Sequence, residues 1–187
     1  VRRFNESYGE EAGAHFTSRD IIYLMTDLLL CDAKLGGNMT VYDMTMGTSQ
    51  MLSCMEERIH AIDSDIEVTC FGQEFNPSTY AIAKADMMIR GGDPNNMRFG
   101  DTLSEDKFSG YTFDRIISNP PFSQKDNVLK RLYELDKPYA MLLPIPSLQG
   151  QARFPWMKDG LQFLGFDKRI NYYTNQDLTQ VQKGVSF

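Results

Sequence analysis

The sequence predicts a doubly wound α/β fold, a mostly parallel twisted sheet with helices on both faces. Three observations lead there. Strand-like and helix-like stretches alternate along the chain, which makes βα units. The strand-like stretches are short and apolar, as strands covered on both faces are. Four polar residues, Asp43, Glu74, Asp101 and Asn119, each stand at or just past a predicted strand end. In open α/β sheets that edge is where ligands bind.

The elements follow in order. Ser18 precedes a predicted helix with one broad apolar face, Ile21, Ile22, Leu24, Met25, Leu28 and Leu29, and Gly36-Gly37 closes that region. Thr40-Val41-Tyr42 is a buried strand running into Asp43, and the small-residue turn Met46-Gly47-Thr48-Ser49 opens a helix to about Arg58. Residues 67–72 form the next strand. Pro77 suits a first helical turn, and that helix runs through Tyr80, Ala83, Met87 and Met88 to Gly91-Gly92. A brief strand, 97–99, ends at Gly100-Asp101, and a longer one, 113–118, ends at Asn119-Pro120-Pro121-Phe122. A helix around 127–135 and a strand at 139–143 follow, closed by Pro144 and Pro146. A helix-like stretch near Trp156 to Leu164 and a strand at 169–173 complete the prediction.

Bulk properties narrow the function. The chain has 187 residues, 42% hydrophobic and 24% charged, which suits one domain with a sizeable core. No apolar run reaches the roughly 18–20 residues that span a bilayer, and Val1-Arg2-Arg3-Phe4-Asn5-Glu6 is no secretory signal, so no membrane association is expected. Cys31, Cys54 and Cys70 are odd in number and lack metal-site spacing; they read as reduced thiols of a cytoplasmic protein, and no metal is expected. The net charge of −6 argues against a domain that grips nucleic acid by itself and points towards a partner that makes most phosphate contacts.

The most specific signal is Asn119-Pro120-Pro121-Phe122. Two prolines after an apolar strand cannot continue the sheet, so they fix a rigid turn. Such a turn can aim two acceptors, the Asn119 side-chain oxygen and the Pro120 carbonyl, at one spot. An aromatic amine such as the 6-amino group of adenine is a weak nucleophile, because its lone pair is conjugated into the ring. Two acceptors on its hydrogens favour the charge that builds on nitrogen as it attacks a methyl sulfonium in line. Phe122 offers a face on which a flipped base stacks. The plain alternative is a proline turn with Asn119 as a local cap.

The other candidates are weaker alone. In Asp43-Met44-Thr45-Met46-Gly47-Thr48-Ser49-Gln50, small residues let backbone N–H groups approach a ligand, against the plainer reading of Thr48 or Ser49 as a helix N-cap. In Gln73-Glu74-Phe75-Asn76-Pro77, the acid is placed to accept ribose hydroxyls, or is a surface carboxylate at a helix start. Asp101 in Gly100-Asp101-Thr102 is a candidate for an adenine amino group of a cofactor, or a turn cap. In Ala14-His15-Phe16-Thr17-Ser18-Arg19-Asp20, Phe16 can pack on a cofactor and Thr17 and Ser18 can contact its amino-acid end, or Phe16 is a helix staple. His15 has nothing nearby to orient it. Core packing is expected for Phe154, Trp156, Phe163, Phe166, Tyr172 and Tyr173.

On these residues the chain resembles the methyltransferase subunit of type I restriction–modification systems from about Gly9 to Phe122. The matching stretches are 13–20, Tyr42-Asp43 through Thr48, 72–77, 80–84, 100–103 and Phe113-Asp114 through Phe122. Their order is that of the gamma group of amino methyltransferases. From Leu132 on, residues 133–146 and 168–172 look more like small phage-type adenine methyltransferases. The resemblance implies a Rossmann-like S-adenosylmethionine-dependent methyltransferase fold. It implies that Phe16, Thr17, Asp43, Gly47, Thr48, Glu74, Phe75 and Asp101 line the S-adenosylmethionine site. Asn119, Pro120, Pro121 and Phe122 are implied to hold a flipped adenine of DNA. The usual turn of that family reads Asp-Pro-x-x-Gly-Thr-Gly-Gly; here Met44 replaces the proline, and Ser49 and Gln50 replace the later glycines.

The expected organisation is one catalytic domain, 1–187: an N-terminal helical lead-in (1–36), a cofactor-binding and catalytic half (37–122), and the C-terminal half of the sheet (123–187), whether whole or truncated. Sequence specificity is expected from a specificity subunit or a separate target-recognition domain. Two alternatives stay open: the same fold methylating RNA or a protein glutamine, and a catalytically impaired structural subunit.

Overall fold

The computed structural model describes residues 17–31, 36–151, 153–157 and 160–165. Five strands form one sheet, all parallel: β1 (Asn38–Asp43), β2 (Glu67–Glu74), β3 (Met97–Phe99), β4 (Arg115–Ser118) and β5 (Tyr139–Met141). Their order is β3-β2-β1-β4-β5. The chain lays β2 and β3 to one side of β1, then crosses to lay β4 and β5 on the other. The reversal falls between β1 and β4, and the crevice of a doubly wound sheet opens there, past the strands' carboxyl ends.

The helices are α1 (Arg19–Leu30), α2 (Gln50–Ile62), α3 (Pro77–Ile89), α4 (Lys125–Leu135) and the single turn α5 (Phe154–Met157). Period-2 alternation sends neighbouring strand residues to opposite faces. Val41, Cys70 and Ile117 pack beneath α1, α2 and α3 with Ile22, Leu52, Met55, Ile59 and Met87. Tyr42, Ile116 and Phe113 pack on the other face with Phe108 and with Val128 and Leu132 of α4. Tyr42 and Phe113 stack with centroids 4.4 Å apart. The two-faced α/β architecture is therefore the one expected.

Several boundaries differ. Leu28 is exposed, because α1 buries Ile21, Ile22, Met25, Leu29 and Leu30 along a stripe that leaves position 28 outside. The strand expected at 113–118 begins at Arg115, since Asp114 accepts from the Thr40 N–H and hydroxyl, at 2.8 and 2.7 Å, and fastens the strand entry. Of the helix expected to Leu164, Phe154–Met157 is helical and residues 160–165 are not; Gly160, with φ 80°, adopts the left-handed conformation that ends helices. Phe154 and Phe163, expected in a core, are exposed, because no long helix forms there to give them a buried face. Phe166, Tyr172, Tyr173 and the strand expected at 169–173 lie outside the described residues.

Candidate functional site at the sheet switch point

Two turns meet at the reversal: Asp43–Gln50 after β1, and Asn119–Phe122 after β4. Asp43 is buried, and its Oδ1 accepts from the Thr45 N–H at 3.0 Å and from the Ser118 hydroxyl at 2.8 Å. The Thr45 and Ser118 hydroxyls lie 2.9 Å apart. Ser118 immediately precedes Asn119, so one carboxylate oxygen ties the first turn to the second. Neither Thr45 nor Ser118 carries a signal in sequence; the contact exists only because β1 and β4 are neighbours.

Among the described residues, Asp43 Oδ2 is buried without a hydrogen-bond partner. Burial pushes the Asp43 carboxyl up to about 7, opposed by the Thr45 and Ser118 bonds and reinforced by the nearby Glu74. Glu74 ends β2 and is buried; its Oε1 accepts from the Asn76 N–H at 2.7 Å and its Oε2 from the Gly47 N–H at 2.9 Å. Burial raises the Glu74 carboxyl, and the backbone donors of Asn76 and Gly47 work against that rise. Glu74 thus braces the first turn, while each of its oxygens keeps a lone pair for a further donor. Two buried acids at adjacent strand ends suit a ligand that brings donors and positive charge.

The three departures in the first turn leave its path regular. Met44 is buried in the aromatic core beside Tyr42 and Phe108. Gly47 has φ 55°, and a Cβ added there meets no atom within 4 Å, so the turn is open on that side. Ser49 sits in the left-handed region at φ 65°, a conformation that costs a non-glycine residue about 1–2 kcal/mol. Its N–H donates to Met46 O at 2.8 Å, and its carbonyl accepts from Ser53 N at 3.0 Å, which starts α2. Its buried hydroxyl has no partner among the described residues, and Ser49 occupies the N-cap position without capping by its side chain. Thr48 is half-buried in the same turn.

The third acid behaves as the plainer reading expected. Asp101 is exposed; its Oδ1 accepts from the Leu103 N–H at 3.0 Å and its Oδ2 from the Ser104 hydroxyl at 3.1 Å, both local turn bonds. Phe75 is 63% exposed at the end of β2, available to a ligand surface rather than to the core. Gln73 was quoted in sequence only as part of a motif. It is buried, donating to Glu105 O at 2.8 Å and accepting from Lys107 N at 3.0 Å, and so fastens the loop after β3.

In the second turn Pro120 is buried, Pro121 exposed and Phe122 half-buried, with a 3-10 turn running from Phe122 to Gln124. Asn119 Nδ2 donates to the Thr17 hydroxyl at 2.8 Å, and Asn119 Oδ1 is buried without a hydrogen-bond partner among the described residues. An orphaned buried acceptor costs about 1–3 kcal/mol, which a donor placed against it removes. Thr17 is thereby brought to the turn after β4. Phe16 lies outside the described residues. No described helix is long and apolar enough to cross a membrane.

An open parallel sheet with acids at the ends of β1 and β2 and an Asn-Pro-Pro-Phe turn after β4 is a Rossmann-like methyltransferase fold. A family model, N-6 DNA Methylase, matches residues 1–164, and the chain belongs to that family. It is 29% identical over 160 residues to the type I restriction enzyme MjaIX methylase subunit of Methanocaldococcus jannaschii, covering 83% of this chain and 27% of that protein. It is 29% identical over 172 residues to the HindI methylase subunit of Haemophilus influenzae, covering 91% and 37%. The chain thus spans well under half the length of these relatives. Among solved structures, the methyltransferase subunit of a type I restriction–modification system from Streptococcus thermophilus superposes with TM-score 0.61 at 26% identity, over 76% of this chain and 37% of that one. A Listeria monocytogenes protein assigned to the class I S-adenosylmethionine-dependent methyltransferases superposes with TM-score 0.57 at 14% identity, over 75% and 49%, and shares the fold.

Proposed function

We propose that this chain is the catalytic part of a methyltransferase that modifies the 6-amino group of adenine in DNA, within a restriction–modification system. The observation that carries the proposal is Asn119 Oδ1, a buried acceptor without a partner, on a proline-fixed turn hydrogen-bonded through Ser118 to Asp43. S-adenosylmethionine, the cofactor, supplies an electrophilic methyl group on a sulfonium. Asp43, the open turn at Gly47 and Thr48, Glu74 and Phe75 are the residues that would hold it. Asp43 Oδ2 fits a ligand donor, and the exposed Phe75 fits a planar ring. Asp101 belongs to the same set, since each of its oxygens accepts one turn bond and keeps a lone pair for a ligand donor.

Asn119 Oδ1 and the Pro120 carbonyl accept the two hydrogens of the target amine. Acceptors carried on a rigid proline turn need little reorganisation as charge grows on the nitrogen. Phe122 stacks on the base once it is flipped from the duplex. Asn119 neither forms a bond to the target nor needs to hold its proton. The acidic chain leaves most phosphate contacts, and the choice of DNA sequence, to a specificity subunit or a separate recognition domain.

The test begins with S-adenosylmethionine binding by calorimetry, then methyl transfer to DNA with candidate partners added. Asn119→Ala is expected to slow transfer at least about 100-fold, as loss of one preorganised polar group does, with cofactor affinity changed less than about twofold. Near-normal turnover in Asn119→Ala removes the proposal. Offering RNA and protein as acceptors in the same assay tests the choice of DNA.

A further inference from the structure

We infer that Thr17 is a positioning residue that sets the orientation of the Asn119 amide; this rests on the reading of Asn119 as the group that holds the target amine. An asparagine amide is nearly isosteric about its last torsion, so its oxygen and nitrogen exchange places at little steric cost. Only one arrangement serves the reaction. With Oδ1 towards the target, an acceptor meets an N–H; with Nδ2 there, two donors face each other.

Thr17 discriminates between the two. It is buried, and its Oγ1 lies 2.8 Å from Asn119 Nδ2. A threonine hydroxyl both donates and accepts, so by itself it would tolerate either amide end. Here Met51 Sδ lies 4.0 Å from that hydroxyl, in the first turn of α2, and a thioether has no hydrogen to give, so Thr17 can meet it only as a donor. The hydroxyl therefore turns a lone pair to Asn119, which admits Nδ2 and sends Oδ1 the other way, to its buried position without a partner.

The segment carrying Thr17 is itself held. Arg19 pairs with Glu57 at 2.5 Å, and Arg58 makes two bonds to Asp27, at 2.7 and 2.9 Å, which bind α1 to α2. The brace on the catalytic turn thus comes from a residue 102 positions earlier in the chain.

The experiment compares Thr17→Val, Thr17→Ser and Thr17→Cys in the methyltransferase that contains this chain, with Asn119→Ala alongside. Single-turnover methyl transfer to DNA and S-adenosylmethionine affinity by calorimetry are read for each, after thermal melts identify the folded variants. Thr17→Val, isosteric without the acceptor, is expected to slow transfer about 10–100-fold, the scale of a small misplacement at a reacting centre, with cofactor affinity changed less than twofold. Thr17→Ser keeps the hydroxyl and should stay within about threefold of the parent rate, while Thr17→Cys, a weak acceptor, should follow valine and serves if valine does not fold. A full rate in Thr17→Val or Thr17→Cys overturns the inference. So does a loss of cofactor affinity equal to the loss of rate, which would make Thr17 a cofactor contact. An active Asn119→Ala removes the underlying reading instead, and that result is separable from any Thr17 outcome.

Discussion

The two turns at the switch point are stiffened in opposite ways. The turn after β1 is held through its backbone: its own N–H···O bonds, two positive-φ residues, one of them a serine, and backbone bonds to Glu74, Gln73 and Thr102 define it. The turn after β4 is held by ring closure at Pro120 and Pro121 and by two side chains from elsewhere, Thr17 and Asp43. A turn built on backbone geometry tolerates changed side chains, as Met44, Ser49 and Gln50 illustrate. A turn that must aim one amide oxygen depends on its partners.

That contrast is open to direct attack. The largest expected effect is on binding. Asp43→Ala removes a buried acceptor from the turn proposed to hold the cofactor and the Ser118 anchor from the other, so S-adenosylmethionine affinity should fall about 10–100-fold, from loss of a hydrogen bond to a charged group. Calorimetry on the folded variant measures it; unchanged affinity would remove Asp43 from the cofactor site.

The next effect is on stability. A Cβ at Gly72 would lie 2.3 Å from Met46 Sδ, inside the first turn. Gly72→Ala should therefore cost about 1–3 kcal/mol by overpacking, read by urea denaturation. Addition of Met46→Ala should return part of that loss, as coupled neighbours do.

Third comes pH. The native Asp43 carboxyl stands at about 7 against an ordinary 3.8. Between those values the native state keeps a proton that the unfolded chain has released. Its contribution to stability therefore falls as pH rises from about 4 to about 7 and is constant above. Asp43→Asn lacks that loss, so its stability relative to the parent should grow across the same interval. Parallel profiles for the two proteins would show that Asp43 does not titrate there.

The smallest expected effect is Ser49→Gly. It relieves a left-handed serine and an unpartnered buried hydroxyl, partly offset by the freedom of glycine in the unfolded chain, for a net gain of about 1 kcal/mol. Cofactor affinity should hold or improve. A loss of stability would mean that Ser49 has a role its geometry does not reveal.

Much of this was legible from the residues alone. Alternating βα signals identified the fold class, and Asp43, Glu74 and Asn119 stand at strand ends, because strand and turn chemistry are local properties of sequence. Pro77 opens α3 as expected, and Asn76 before it accepts from the Ser78 and Thr79 N–H groups. The stretch from Trp156 to Leu164 reads as a helix in sequence, yet residues 160–165 are not helical, since an apolar run resembles a helix face whether or not anything covers it.

The sequence by itself determined the strands, the helices and the two rigid or small-residue turns. Only the tertiary structure decided that Thr17 meets Asn119, that Ser118 meets Asp43 and that Glu74 braces Gly47. Those pairs are 102, 75 and 27 residues apart, and strand order, not local preference, brings them within hydrogen-bond reach. The Asp43 carboxyl rises for the same reason: desolvation depends on what packs around a group, and that is fixed only when β1 and β4 become neighbours.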